Sequence, residues 1–424
     1  MTHRLDRGAG CGPLLFRKTG AIVVEKSGSK MPRNVAIIGT RGYPSYYGGF
    51  ETAVRKLAPY FVDQGWAVTV YGRKGSTKTG DSQRDMRVRS VNTLGLDNKS
   101  LSTLTFGLTS VIHAVIYKPD VALVMNVANG FWLPLLRLRG IPSVVNVDGI
   151  EWERAKWGRL AKFVFKLGAK MTAKFATALI SDSEEIRRRW CSEFHRDSVF
   201  IPYGGEFPDV LPVVDGLRSG GYALMVARFV PENTVAEFFA ACESLAKDFP
   251  VVIVGSSGYG GDLEVAAGEL VRKYPNVSWL GHVSDDAKLM SLWQHAGAYF
   301  HGHSVGGTNP ALVQAMACGA PVVARQTAYN LEVLGRSDFQ VSPEPAKLES
   351  GLRRMLSNPE EREESKAFNR NRAWSHYNWP GVCQAYEQTI GLSARLFNGE
   401  ITSEDLIVKV QELSAQNIKR SATL

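Results

Sequence analysis

The chain has 424 residues, 44% of them hydrophobic and 21% charged, which suits two compact α/β domains of about 150 to 200 residues each better than one core. Fifty Lys and Arg against 41 Asp and Glu leave a net charge of +9, which fits an anionic partner: a phosphorylated substrate, nucleic acid or the negative face of a membrane. Five scattered cysteines (Cys11, Cys191, Cys242, Cys318 and Cys383), odd in number and never spaced as C-x-x-C, argue against a disulfide framework or zinc ribbon and read as packing residues in a reducing compartment.

No run of about 18 apolar residues occurs, and the N-terminus lacks the compact apolar core of a secretory signal, so the protein is expected in the cytosol. Residues 1–33 lack periodicity and read as a disordered extension or as a start assigned upstream of Met31. Short apolar runs then alternate with helical patterns, which predicts parallel sheets covered on both faces. In the first half the strands are expected at Val35–Ile38, Ala67–Tyr71, Val121–Met125, Ser143–Val147 and Ala178–Ser181; Phe50, Val54, Leu57 and Phe61 mark a helix between the first two. The loop Tyr203–Gly220 is rich in Gly, Pro and Asp and marks a domain boundary. A second series follows at Ala223–Val226, Val251–Val254, Val277–Leu280, Ala298–Phe300, Pro321–Ala324 and Phe339–Val341. The expected units are 34–204, 205–374, and 375–424 as a helix crossing back to the first domain plus a tail.

Gly39–Glu51 (GTRGYPSYYGGFE) joins the first strand to the first helix. Gly48 and Gly49 let a ligand approach the backbone there, where helix-end N–H groups attract phosphate. The spacing is not the G-x-G-x-x-G dinucleotide fingerprint, which disfavours an NAD enzyme; a plain tight turn is the other reading. Gly306–Pro310 (GGTNP) precedes the apolar helix Ala311–Cys318, with Asn309 suited to the N-cap and Pro310 to the first turn. Two phosphate-ready helix ends, one at the strand ends of each half, predict facing walls of an interdomain cleft.

Those two segments, with VDGIEWERAKW (Val147–Trp157), MVARFVPEN (Met225–Asn233) and the longer block HGHSVGGTNPALVQAMACGAPVVA (His301–Ala324), together resemble glycosyltransferase family four, and most of all its rhamnosyltransferase branch. The resemblance runs from about residue 34 to 390 and implies a GT-B fold: two Rossmann-like domains facing an interdomain cleft, the first for the acceptor and the second for the donor nucleotide. It further implies a retaining transfer from a nucleotide-sugar donor, TDP-rhamnose above others, to a lipid-linked saccharide acceptor, with no cofactor and no bound metal. The absence of any D-x-D in the sequence supports the metal-free expectation independently. On this likeness Gly48, Gly49, Arg228, His303, Gly307, Thr308 and Asn309 meet the donor, and Gln314 meets its ribose.

Two departures stand out. Asn233 occupies the place of the Lys in the family's G-R-x-x-x-x-K grip on the diphosphate, and Gly306 and Gln314 replace its paired glutamates. Losing the ribose carboxylate forfeits roughly 1 kcal/mol of charge-assisted bonding. A catalytically weak donor-binding or scaffold subunit is therefore the alternative reading. Asp148 and Glu151 follow the Ser143–Val147 strand and are the candidate catalytic carboxylates, orienting the acceptor and stabilising oxocarbenium charge while the leaving phosphate takes the acceptor proton. His301 and His303 are read as neutral donors to sugar or phosphate, or as packing.

Arg154, Lys156, Arg159, Lys162, Lys166, Lys170 and Lys174 are interleaved with Trp157, Leu160, Phe163, Val164, Leu167 and Met171, the pattern of a basic amphipathic helix. Lys162, Lys166 and Lys170 then become membrane contacts at the cytoplasmic face of the inner membrane, each contributing about 1 kcal/mol on anionic lipid. A solvated basic face is the bland reading. Nucleic acid is not an expected partner, since no recognised binding module accompanies the charge.

Overall fold

The computed structural model describes residues 33–421 apart from positions 47, 78, 79, 97–101, 148, 155, 156 and 259. The N-terminal extension read from the sequence lies outside the described residues.

The first domain holds seven strands: β1 (Asn34–Ile38), β2 (Ala67–Arg73), β3 (Arg89–Thr93), β4 (Val121–Met125), β5 (Ser143–Asn146), β6 (Ala178–Ser181) and β7 (Val199–Phe200). They lie in the order β3-β2-β1-β4-β5-β6-β7. The second domain holds β8 (Ala223–Val226), β9 (Val251–Val254), β10 (Val277–Trp279), β11 (Ala298–His301), β12 (Val322–Arg325) and β13 (Gln340–Val341), in the order β10-β9-β8-β11-β12-β13. All described pairings are parallel, and β4 is buried along its whole length, as a strand with helices on both faces must be. β3 was not legible from hydropathy: it is an edge strand, RSVNT, only one of whose residues is fully buried. β7 is two residues long and carries no pattern to read.

The tail differs in detail from the single helix expected at Trp374–Leu392. One helix spans Pro359–His376 and the next Trp379–Phe397, parted at Asn378, whose side chain accepts from the Gly381 N–H at 2.8 Å. Val382, Cys383, Tyr386 and Ile390 of the second helix share a core with Val35, Ile37, Leu57 and Phe61 of the first domain. A last helix, Ser403–Ser421, adds Leu406, Ile407 and Val410 to the same core. Each such buried side chain contributes about 1.5–3 kcal/mol, so the crossing segment ties the halves together more firmly than surface ion pairs can. Cys242, Cys318 and Cys383 are buried, and Cys191 is half-buried.

Candidate active site

In each sheet the strand order reverses direction once, between β1 and β4 and between β8 and β11, and crevices for ligands form outside the carboxyl ends of strands at such points. The loops leaving these four strands line one interdomain cavity of about 1250 Å³, more than the roughly 300–1,000 Å³ of a single small-molecule pocket and thus roomy enough for two substrates. Gly39 begins the loop after β1 at φ +92°, and a Cβ there would lie 2.1 Å from the Met125 carbonyl oxygen. Only glycine lets the chain leave β1 so close to the end of β4.

The helix Gly49–Asp63 starts at this cavity with Gly48 as its N-cap, and the helix Pro310–Ala317 starts opposite, capped by the Asn309 side chain on the Ala311 N–H at 3.0 Å. The two ends nearly touch: a Cβ on Gly49 would be 3.5 Å from Pro310 Cγ. Their outward N–H groups and positive dipole ends therefore converge on one spot. Arg228, exposed after β8, lines the same cavity.

Glu151 also lines the cavity, with both carboxylate oxygens engaged. Oε1 pairs with Arg154 Nε at 2.7 Å, and Oε2 accepts from the Trp157 indole at 2.8 Å. So placed, Glu151 holds Arg154 in the cleft instead of standing ready for a proton. Arg154 leaves the basic helix on which the sequence pattern put it; that helix spans Arg159–Phe175, and an Arg154 terminal nitrogen lies 3.6 Å from where a Cβ on Gly306 would sit. Asp148 lies outside the described residues.

Gly307 and Thr308 make the interdomain contact. The Thr308 hydroxyl donates to the Asp182 carbonyl, and a Cβ on Gly307 would lie 1.9 Å from an Asp182 carboxylate oxygen. Glycine is obligatory there as long as the cleft is closed. Nearby, Glu332 of the second domain accepts from the Ser183 hydroxyl (3.1 Å) and from the N–H groups of Glu184 (2.9 Å) and Glu185 (3.3 Å), capping the helix Glu184–Phe194 of the first domain. Burial lifts the Glu332 carboxyl above its ordinary range although these donors pull it down.

His303 lines the cavity and His301 does not. The His301 ring is buried behind β11, where desolvation and then the neighbouring His303 lower its pKa to about 3, so it is a neutral packing group bonded to the Tyr299 hydroxyl at 3.1 Å. His303 Nδ1 lies 2.6 Å from Asn233 Oδ1. Gln314 is brought elsewhere than the sequence reading placed it. Its amide accepts from the Glu206 N–H (2.9 Å) and donates to the Glu206 carbonyl (2.8 Å), gripping the interdomain linker, and it is absent from the cavity lining.

Sequence reasoning missed Arg41, Arg73 and Asn126 in the cavity wall. Asn126 has φ +75°, a conformation rare for a non-glycine residue. Arg41 sits inside the quoted GTRG motif and Arg73 ends β2, so strand-end position was the available signal. On the helix Arg159–Phe175, Leu160 (77% exposed), Phe163 (66%) and Leu167 (39%) share the outer face with Arg159, Lys166, Lys170 and Lys174. Lys162 is half-buried, and Lys166 pairs with Glu193 at 2.8 Å. No described helix is long and apolar enough to cross a membrane.

Residues 219–372 match the family described as Glycosyl transferases group 1, and residues 32–206 match a domain of unknown function, DUF1972. The chain carries a group 1 glycosyltransferase domain. Sucrose-phosphate synthase from Thermosynechococcus elongatus superposes on the glycosyltransferase at TM-score 0.72 and 20% identity, covering 87% of this chain and 100% of that one. Anabaena HepE in complex with UDP gives 0.66 and 16%, covering 84% and 99%. A UDP-forming trehalose-phosphate synthase from Burkholderia xenovorans gives 0.65 and 14%, covering 88% and 100%. These likenesses establish the glycosyltransferase fold as GT-B. No curated protein matches the sequence.

Proposed function

We propose that the protein is a retaining, metal-independent glycosyltransferase that moves L-rhamnose from TDP-rhamnose onto a polyprenyl-diphosphate-linked saccharide in bacterial surface polysaccharide synthesis. The observation that carries the reading is the meeting of two helix N-termini, Gly49 against Pro310, in a cavity that also holds Arg228 and Arg154. Backbone N–H groups and guanidinium groups there can neutralise a diphosphate leaving group, the role a metal ion plays in sites built on paired carboxylates. HepE and the UDP-forming synthase are named with UDP, which supports a nucleotide-sugar donor here. The choice of rhamnose and of the lipid-linked acceptor rests on the family resemblance in the sequence.

In this reading the donor diphosphate lies between Arg228 and the Gly307–Asn309 turn, and the acceptor enters from the first-domain wall. Asp148 orients the acceptor hydroxyl, while the departing phosphate takes its proton. The exposed Leu160, Phe163 and Leu167, set among lysines, suit peripheral attachment at the cytoplasmic face of the inner membrane. Asp148→Asn is expected to lose transfer while keeping donor affinity; normal turnover by this variant removes Asp148 from the mechanism. A scaffold role is favoured by Asn233 in place of Lys and by the engagement of Gln314 with the linker, and it predicts donor binding without any transfer.

A further inference from the structure

Asn233 stands where the family pattern has a diphosphate-gripping Lys, and its two amide atoms are both accounted for. Nδ2 donates to the Arg228 carbonyl at 2.8 Å, which fixes the orientation of the amide. The atom 2.6 Å from His303 Nδ1 is therefore a carbonyl oxygen, which accepts only, so Nδ1 carries the hydrogen. A neutral His303 then presents a lone pair at Nε2. That nitrogen lies 3.6 Å from where a Cβ on Gly306 would begin, in the place the family fills with the first of its two carboxylates.

The groups around the ring bear on its charge. Arg154, held by Glu151, reaches in from the loop after β5, and Arg228 lines the cavity after β8. The His301 ring lies behind at 6.3 Å, Asp182 faces Gly307 from the loop after β6, and Glu232 belongs to the turn that carries Asn233. Asn330 donates to the His303 carbonyl at 3.0 Å from the helix Ala328–Leu334, which also carries Tyr329 and Glu332. Two guanidinium groups in one cavity disfavour a second proton on the imidazole.

We propose that His303 reads the donor sugar, accepting a hydrogen bond from a sugar hydroxyl at Nε2, and that Asn233 is the positioning residue that fixes the acceptor tautomer. The proposal rests on the nucleotide-sugar reading above. A neutral acceptor replaces the missing Gly306 carboxylate, and the loss of Lys at 233 makes room for the residue that holds it. Protonation turns the acceptor into a donor, so the contribution of the sugar to binding falls with pH, while that of the nucleotide, made elsewhere, does not fall with it.

The test is titration calorimetry with TDP and TDP-rhamnose, and in parallel UDP and UDP-glucose, at about pH 8 and about pH 5.5, either side of the usual histidine range. The readout is the ratio of the nucleotide Kd to the nucleotide-sugar Kd. In the wild type this ratio is expected to fall about tenfold at the lower pH, the size of one hydrogen bond. His303→Gln, which offers an amide acceptor and does not titrate, is expected to give a ratio flat with pH. Asn233→Asp stabilises the imidazolium, so its ratio should already be low at the higher pH; its lost contact to Arg228 is read separately in the nucleotide arm. A wild-type ratio flat with pH, one that rises as pH falls, or an Asn233→Asp variant that titrates like the wild type overturns the proposal and leaves the transferase reading intact. Failure to bind either nucleotide sugar at the higher pH overturns both.

Discussion

His301 and His303 lie two residues apart at the end of one strand and differ in what surrounds them. His301 is held neutral by burial at a pKa of about 3, against about 6.5 in an unfolded chain. Its folded pKa is depressed, so as pH falls below about 6.5 the unfolded state takes up a proton that the native state refuses, and stability is lost progressively toward pH 3. At about pH 5 the loss attributable to this residue is about 2 kcal/mol. Urea unfolding at pH 7 and pH 5 should show it in the wild type and not in His301→Gln; equal losses in the two proteins contradict the assignment. Arg228→Ala is expected to weaken nucleoside diphosphate binding about 10- to 100-fold, the size of a charge-assisted contact, without lowering the unfolding temperature. An unchanged Kd by calorimetry places the diphosphate elsewhere. Residue-level legibility was uneven for a physical reason. Asn309 could be read because a cap is a local arrangement of side chain and backbone. Gln314 could not, because its partner Glu206 is 108 residues away in sequence and only the folded linker brings it there.

Elements repeat the lesson. The strands beside the cleft were legible because burial on both faces demands an unbroken apolar run, as in VALVM. β3 was missed because an edge strand carries no such demand. The helix Glu184–Phe194 is capped by its own Ser183 and by Glu332 from the other domain, a contact that neither segment signals alone. Glu332→Ala should cost about 1–2 kcal/mol, as loss of a helix cap does. Glu332→Gln should cost less, because it also removes the desolvation of a buried carboxylate. Thermal unfolding of the pair checks the order, and equal losses contradict it. The helix Arg159–Phe175 belongs at this scale too, since its outer face mixes exposed Leu160, Phe163 and Leu167 with cations. Reversing Lys162, Lys166 and Lys170 to Glu is expected to lower partition onto anionic vesicles by about 100-fold or more, at about 1 kcal/mol per lysine. Unchanged sedimentation with vesicles rejects the membrane face.

At the scale of the whole molecule, two parallel sheets bring their switch points to one cavity, and the crossing helix Trp379–Phe397 binds the halves through a shared core. That architecture could be read from alternating strand and helix patterns and from two glycine-rich turns. Closure could not be read, because the Thr308 contact to Asp182 and the close approach of Gly49 to Pro310 join residues far apart in the sequence. The central claim is that this cavity transfers a sugar. It is tested most directly by incubating the purified protein with a lipid-diphosphate monosaccharide and a panel of TDP-, UDP- and GDP-sugars in EDTA, and weighing the products. The account predicts that the acceptor gains the mass of one deoxyhexose from TDP-rhamnose without metal; a folded protein that binds the donor and leaves the acceptor mass unchanged with every sugar in the panel contradicts it.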